Sequence, residues 1–177
     1  MCVIEPTPVI ETRRLRLRVP EQRDLGAIAE FCADFDVSRM VTSIPHPYRM
    51  EDAESFLKMV QASDPARERV FLIEHEHEGP AGMIGFHGRD NPYPEMGYWV
   101  GKRFWGRGFA TEAGLAVVDW ARRGWKQRAL TAGHFADNPA SGRVLQKCGF
   151  LYTGNVERKR CVARDVEVDT RMMVWLA

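Results

Sequence analysis

The chain has 177 residues, which is enough for one domain with a substantial core and too short for two comfortable ones. Its formal net charge of +1 gives no support to a nucleic-acid partner, which a clearly basic protein would more often bind. No apolar run approaches the ~20 residues that a membrane span requires, so we expect no membrane partner.

The four cysteines, Cys2, Cys32, Cys148 and Cys161, are not at metal-ligand spacing, and a chain of this size does not need disulfides to fold. The segment Met1–Arg18 lacks the continuous apolar core of a signal peptide and is rich in arginine. We therefore expect reduced thiols, no metal and a cytoplasmic location.

The first half of the chain alternates between strand and helix patterns. Arg14–Val19 alternates charged and apolar residues, which predicts a half-buried strand. Apolar residues at helical spacing predict helices over Glu21–Asp34 and Glu51–Ala62. Further strands are predicted at Val70–Ile73, Met83–Phe86 and Glu95–Val100, with turns over Glu74–Gly79 and Asn91–Pro94.

The second half continues the alternation. Helices are predicted over Ala110–Arg123 and Asn138–Gly149, the latter with Asn138 as its cap and Pro139 at its first position. Strands are predicted at Ala129–Ala132, Phe150–Thr153 and Arg164–Leu176, and Arg158–Arg160 indicates a solvated hairpin turn. With no linker or repeat, we expect residues 1–177 to form a single mixed α/β domain.

A glycine-rich loop, Trp105-Gly106-Arg107-Gly108-Phe109-Ala110, joins a predicted strand to a predicted helix. Glycines let backbone N–H groups approach a ligand, and a helix start adds unpaired donors and a positive dipole end, which together suit a pyrophosphate. Alone the pattern is weak, because such turns are also ordinary connecting structure. It is neither a P-loop nor a dinucleotide fingerprint, since no Lys-Ser or Lys-Thr follows and a third glycine is missing.

Three segments in order resemble the GNAT superfamily of acetyl-CoA-dependent N-acetyltransferases: Glu95–Val100, Trp105–Ala113 and Asn138–Phe150. Glu11–Arg18 resembles the first strand of the branch that includes ribosomal-protein N-terminal acetyltransferases. The superfamily's phosphate motif has Gln or Arg where this chain has Trp105, a departure that agrees with that branch. The resemblance implies a central mixed, mostly antiparallel twisted sheet of about six to seven strands flanked by about four helices.

The resemblance also implies a site for acetyl-CoA. The pantetheine arm would follow Glu95–Val100, in the gap opened beside the next strand, with a backbone N–H near Val100 polarising the thioester oxygen. Backbone amides from Arg107 to Thr111 would hold the pyrophosphate, and Asn138 would fix the arm from the other side. The cofactor-binding residues so implied are Val100, Gly106, Arg107, Gly108, Phe109, Ala110, Thr111, Asn138 and Ser141.

Candidate catalytic residues follow from the same resemblance. Glu95, at the head of its strand, is the first candidate for general base, with His87 and His134 as weaker alternatives. The tyrosine that many relatives place on the last helix is replaced by Leu145. Ser141 could instead donate a hydrogen bond to the leaving thiolate, or could simply bond within its own helix.

Three functions remain open from the sequence. The branch resemblance favours transfer to an α-amine at a protein or peptide N-terminus. Small amines such as amino acids, polyamines or antibiotic-like molecules use the same architecture, and Asp34, Asp36, Glu51 and Asp52 hint at a cationic acceptor. Because the usual tyrosine is absent, a third possibility is a module that binds CoA as a sensor and has no turnover. A homodimer through the last strands is also expected.

Overall fold

In the computed structural model, residues 7–88 and 92–177 are described, so the predicted turn at Asn91–Pro94 lies partly outside them. The described residues form an eight-stranded sheet and five α-helices. The strands are β1 (Ile10–Glu11), β2 (Leu15–Arg18), β3 (Arg69–His75), β4 (Gly79–His87), β5 (Glu95–Val100), β6 (Ala129–Phe135), β7 (Leu151–Cys161) and β8 (Val166–Leu176). The helices are α1 (Leu25–Ala33), α2 (Phe35–Ser38), α3 (Met50–Ala62), α4 (Phe109–Arg123) and α5 (Pro139–Lys147).

The predicted mixed, mostly antiparallel sheet is confirmed. Its strand order is β1-β2-β3-β4-β5-β6-β8-β7, and every neighbouring pair is antiparallel except β5 with β6. The described residues contain one strand and one helix more than the sequence predicts, namely the two-residue β1 and the four-residue α2. Both are too short for hydrophobic periodicity to reveal them.

The sheet opens between its two parallel strands. The ladder of β5 and β6 consists of Glu95 opposite Thr131 and Met96 opposite Ala132, and β5 then continues to Val100 without further pairing to β6. The two strands therefore diverge and leave a gap in the middle of the sheet. Helices α4 and α5 cover one face, with Val117 and Leu145 in the same core as Met96. Helices α1 and α3 cover the other.

The hairpin of β7 and β8 is longer than predicted. Strand β7 runs to Cys161, so Arg158–Arg160 lies inside a strand and its prediction as a turn is wrong. Because β7 is an edge strand with mostly exposed side chains, its sequence lacks the apolar alternation that marks a half-buried strand. The tip of the hairpin packs against the segment after α2, where the Val162 N–H donates to the Thr42 carbonyl at 3.0 Å.

Within residues 7–88 and 92–177, none of the helices combines the length and the apolar character needed to span a bilayer.

Candidate active site

The glycine loop has the backbone conformation that its glycines suggest. Gly106 and Gly108 both have positive φ, 75° and 80°, a region that L side chains rarely adopt. Gly108 is the N-cap of α4 and has no side chain to cap it. The first helical bond of α4 runs from the Glu112 N–H to the Gly108 carbonyl at 3.0 Å. The amides just before Glu112 therefore project from the helix start, where the dipole favours an anion.

The side chains of two predicted phosphate-binding residues are engaged within the protein, which leaves their backbone amides as the candidate donors. The side chain of Phe109 is buried in the core. The Arg107 guanidinium lies 4.7 Å from the centre of the Phe109 ring and donates to Glu78 at 3.1 Å. The Arg107 guanidinium is thus already engaged by Phe109 and Glu78. The amides from Arg107 to Thr111 suit a pyrophosphate because such a group needs converging donors rather than one particular side chain.

Strand β2 and the residues before it hold this loop from outside. Arg14 donates through Nε to Glu112 at 2.8 Å and through a terminal nitrogen to the Arg107 carbonyl at 3.0 Å. The Thr12 hydroxyl donates to the same Glu112 carboxylate at 2.7 Å. Burial alone would raise the pKa of Glu112, but the hydrogen bonds from Thr12 and Arg14 outweigh it and hold that pKa below its usual range.

A backbone donor of β5 faces the gap. The Pro94 carbonyl accepts from the Thr131 N–H of β6, and the Gly101 N–H donates to Ala81 on the β4 side. Because N–H groups alternate between the two edges of a strand, the N–H of Val100 points toward the gap. The Val100 carbonyl accepts from the indole of Trp105 at 2.7 Å, which ties the strand to the glycine loop. The Val100 N–H therefore faces the gap, and its role as the donor that polarises a thioester stays a prediction.

Helix α5 begins as predicted. The Asn138 side-chain oxygen accepts from the Ser141 N–H at 3.2 Å, which caps the first turn. The Ser141 hydroxyl does not bond within its helix, since its oxygen lies 2.7 Å from the hydroxyl of Tyr98 on β5. Leu145 is 1% exposed and belongs to the core, so the place of the relatives' tyrosine is filled with an apolar side chain.

Tyr98 is a candidate site residue that our sequence reasoning missed. Side chains alternate along β5, so Tyr98 shares its face with Met96 and Val100, which both belong to the core under α4 and α5. The strand pattern contained this alternation, but an aromatic residue on such a face is usually core. Only the tertiary structure places its hydroxyl against Ser141.

Glu95 lies on the opposite face of β5 from Tyr98. Its carboxylate is 2.8 Å from the ammonium of Lys159, which the β7–β8 hairpin carries over this face. Glu95 retains about a third of its side-chain exposure, 34%. The carboxylate thus lies on one face of β5 where the strand still pairs with β6, and the two hydroxyls lie on its other face, farther along the strand. The role of Glu95 as base stays a prediction.

The two histidines have different surroundings. His134 is 5% exposed, and its Nδ1 lies 2.8 Å from the Phe135 carbonyl while its Nε2 lies 2.9 Å from the Tyr152 hydroxyl. Since a carbonyl only accepts, Nδ1 carries the proton and Nε2 accepts from Tyr152. Both nitrogens are thereby engaged. His87 is exposed and stands opposite Glu95 in the β4–β5 register.

Three or more metal-binding side chains do not cluster anywhere in the described part of the chain.

The acetyltransferase (GNAT) domain model matches residues 14–151, which span β2 through the start of β7. The chain belongs to the GNAT acetyltransferase family. It is an acetyl-CoA-dependent N-acetyltransferase. That the loop at Gly106–Gly108 and the gap beside Val100 bind the cosubstrate stays a prediction.

Relatives of this acetyltransferase share modest sequence identity over most of their length. The uncharacterized N-acetyltransferase YoaA of Bacillus subtilis is 29% identical over 154 residues, 83% of this chain and 85% of that protein. The ribosomal-protein-serine acetyltransferase of Escherichia coli is 26% identical over 153 residues, 78% of this chain and 84% of that protein. The structure of Mycobacterium smegmatis RimJ in complex with CoA-disulfide matches with a TM-score of 0.84 at 18% identity, over 97% of this chain and 88% of that one.

Proposed function

We propose that this acetyltransferase acetylates the α-amino group of a protein or peptide N-terminus, by direct transfer within a ternary complex. The observation that carries the proposal is the ion pair of Glu95 with Lys159, in which a primary ammonium already lies 2.8 Å from the candidate base. Lys159 shows that this carboxylate accepts an R–NH₃⁺ group, and an acceptor amine would take the place of Lys159 there. The E. coli relative, named as a ribosomal-protein-serine acetyltransferase, supports an acceptor of this class.

In the proposed reaction, acetyl-CoA supplies the acetyl group as a thioester. The neutral amine attacks the carbonyl carbon, a C–N bond forms, and the C–S bond breaks with its electron pair left on sulfur. Glu95 accepts the proton that the amine loses, directly or through water. The Val100 N–H stabilises the negative charge that builds on the carbonyl oxygen, and Ser141 donates a hydrogen bond to the departing sulfur.

The charge on the acceptor side favours an acceptor with a single ammonium over a polyamine. Asp34 caps α2 by accepting from the Asp36 N–H at 2.9 Å, and Asp36 is itself 2.6 Å from the ammonium of Lys102. Asp52 accepts from the Arg49 N–H at 2.8 Å at the start of α3. Glu51 lies in the same exposed first turn, where a helix dipole accounts for it. These residues, which suggested a cationic acceptor in the sequence, thus have local structural roles.

The tip of the β7–β8 hairpin is fixed in place beside the segment after α2. Arg164 donates through Nε to the Arg39 carbonyl at 2.7 Å and pairs with Asp137 at 2.6 Å. This anchoring holds the strand that carries Lys159 over Glu95. The homodimer expected through the last strands stays a prediction, and light scattering of the purified chain would test it.

The proposal is tested by measuring CoA release with matched acceptors. We expect turnover with peptides that begin with serine or alanine, and none with the same peptides after N-terminal formylation. Turnover with spermidine or free amino acids, but not with peptides, would replace the proposed acceptor by a small amine. CoA binding without release from any acceptor would instead support the sensor.

A further inference from the structure

The contact between Tyr98 and Ser141 joins two segments that the chain keeps far apart. The two hydroxyl oxygens lie 2.7 Å apart, and the Tyr98 oxygen also lies 3.2 Å from the Ser141 backbone carbonyl. Tyr98 stands on the part of β5 that has left β6, and Ser141 stands in the first turn of α5. The pair therefore connects β5 to α5 on the face of the sheet that carries α4 and α5.

We infer that Tyr98 is a positioning residue that turns the hydroxyl of Ser141 toward the sulfur of CoA. The inference rests on the proposed direct transfer, in which that sulfur leaves with an electron pair. The inference concerns only the direction of the hydrogen bond between the Tyr98 and Ser141 hydroxyls.

Each of the two hydroxyls carries one hydrogen, so the contact allows two hydrogen-bond arrangements. In one, Ser141 donates to Tyr98, and Tyr98 donates to the Ser141 carbonyl. In the other, Tyr98 donates to the Ser141 oxygen, and the Ser141 hydrogen is left to donate into the gap. A developing thiolate selects the second arrangement, because only that one offers it a donor. The hydrogen bond from Tyr98 also strengthens the Ser141 donor, since chained hydrogen bonds polarise one another.

The surroundings keep Tyr98 in its donating form. Burial raises the pKa of the Tyr98 phenol, although the contact with Ser141 acts in the opposite direction. The phenol therefore remains protonated while acetyl transfer takes place. Ser141 is held at the same time through its backbone, because its N–H donates to Asn138. The serine oxygen is thus fixed from two sides while its hydrogen remains free to turn.

This arrangement replaces a side chain that this chain lacks. Leu145 fills the place at which many relatives carry a tyrosine, and its burial removes any polar role there. Strand β5 instead supplies a tyrosine that reaches the same face of the helix one turn earlier, at Ser141. In our account Tyr98 does not reach the sulfur itself and acts through Ser141.

The test is a titration of the CoA thiol while it is bound to the protein. The ultraviolet absorbance of the thiolate is followed against pH, and the same titration with desulfo-CoA is subtracted to remove the protein's own tyrosines and cysteines. We expect the bound thiol to be more acidic than that of free CoA. Tyr98→Phe and Ser141→Ala should each reduce its acid dissociation constant by about 3- to 10-fold.

A double variant, Tyr98→Phe with Ser141→Ala, distinguishes positioning of Ser141 by Tyr98 from a general loss of structure. Because Tyr98 acts through Ser141, Tyr98→Phe in the Ser141→Ala background should change the thiol no further. Tyr152→Phe is the matched control, since it removes a hydroxyl that supports His134 beneath the same helix without touching Ser141. That variant should titrate as the wild type does.

A Tyr98→Phe complex whose thiol titrates like the wild type would overturn the inference, as would an additive effect in the double variant. The titration needs no acceptor and no turnover. Failure of the proposed function would therefore appear separately, as a protein whose bound thiol responds to Tyr98 but which acetylates no peptide.

Discussion

The guanidinium of Arg14 lies 2.7 Å from the carboxylate of Glu112, although the two residues are 98 positions apart in the chain. Glu112 stands in the first turn of α4, and Arg14 also donates to the Arg107 carbonyl inside the glycine loop. The segment before β2 therefore acts as a clamp on the glycine loop, which we propose as the pyrophosphate site. The clamp gives a structural role to Arg14, which belongs to the Glu11–Arg18 segment that resembles one branch of the family.

Arg14→Met should weaken CoA binding. Without the clamp, the loop loses a bond to its own carbonyl and the amides are less well ordered, so we expect the Kd for CoA to rise about 5- to 10-fold. The turnover number at saturating acetyl-CoA should change little. Calorimetric titration of both proteins measures the first effect. Arg16→Met is the control, because Arg16 is equally exposed on β2 but pairs with Glu11 at the sheet edge.

Stability in acid should depend on Glu112. Its pKa in the folded protein is lower than normal, so its contribution is complete above the ordinary glutamate pKa of about 4.3 and disappears as the pH falls through the lower folded value. At neutral pH, Glu112→Gln should reduce the free energy of unfolding by about 1–2 kcal/mol.

The same two proteins should become equally stable in acid. Urea unfolding at several pH values below 5 measures the difference, which isolates Glu112 from other carboxylates with lowered pKa values such as Asp24 and Glu74. A difference that stays constant with pH would show that the carboxylate charge has no part in the clamp.

Gly106→Ala should affect both stability and CoA binding. At a φ of 75°, an alanine is strained by about 1 kcal/mol, and relief of that strain would move the loop amides. We expect the Kd for CoA to rise about 10-fold. Gly154→Ala is a matched control, because Gly154 has a φ of 87° and equally open surroundings but lies in the bulge of β7. If both variants bind CoA alike, the glycine loop does not hold the cosubstrate.

Glu95→Gln should lower the turnover number about 100-fold, since it removes the proposed proton acceptor while keeping the side-chain volume. Binding of CoA should be unchanged. The comparison is Glu157→Gln, whose carboxylate also approaches Lys159, at 3.8 Å, but lies on β7. Steady-state rates with a serine peptide distinguish the two. A loss of activity shared by both variants would point to Lys159 rather than to the base.

The sequence predicts the strongly patterned parts of this molecule well. The glycine loop, the cap at Asn138 and most of the strands followed from local chemistry, because turns, caps and half-buried strands each impose their own residue types. The family resemblance then supplied the sheet and the cosubstrate. Elements as short as β1 and α2 carry no such pattern.

The parts that the sequence could not predict are contacts between distant segments. The sequence places Lys159 in a turn, because an exposed edge strand has no apolar alternation. Its ion pair with Glu95 depends on where the β7–β8 hairpin lies against the sheet. The divergence of β5 from β6 is implied only by the family resemblance, because parallel pairing leaves no local signal in the sequence. From the sequence, Tyr98 is only an aromatic residue that faces the core. The contact of its hydroxyl with Ser141 is visible only in the structure.

The most direct measurement is mass spectrometry of two peptides incubated with the protein and acetyl-CoA. One peptide begins with serine, has a free N-terminus and contains no lysine; the other has a formylated N-terminus and one internal lysine. Our account predicts one acetyl group on the α-amine of the first peptide and none on the second. Acetylation of the lysine peptide alone, or of neither peptide by a protein that turns over acetyl-CoA with a small amine, would contradict it.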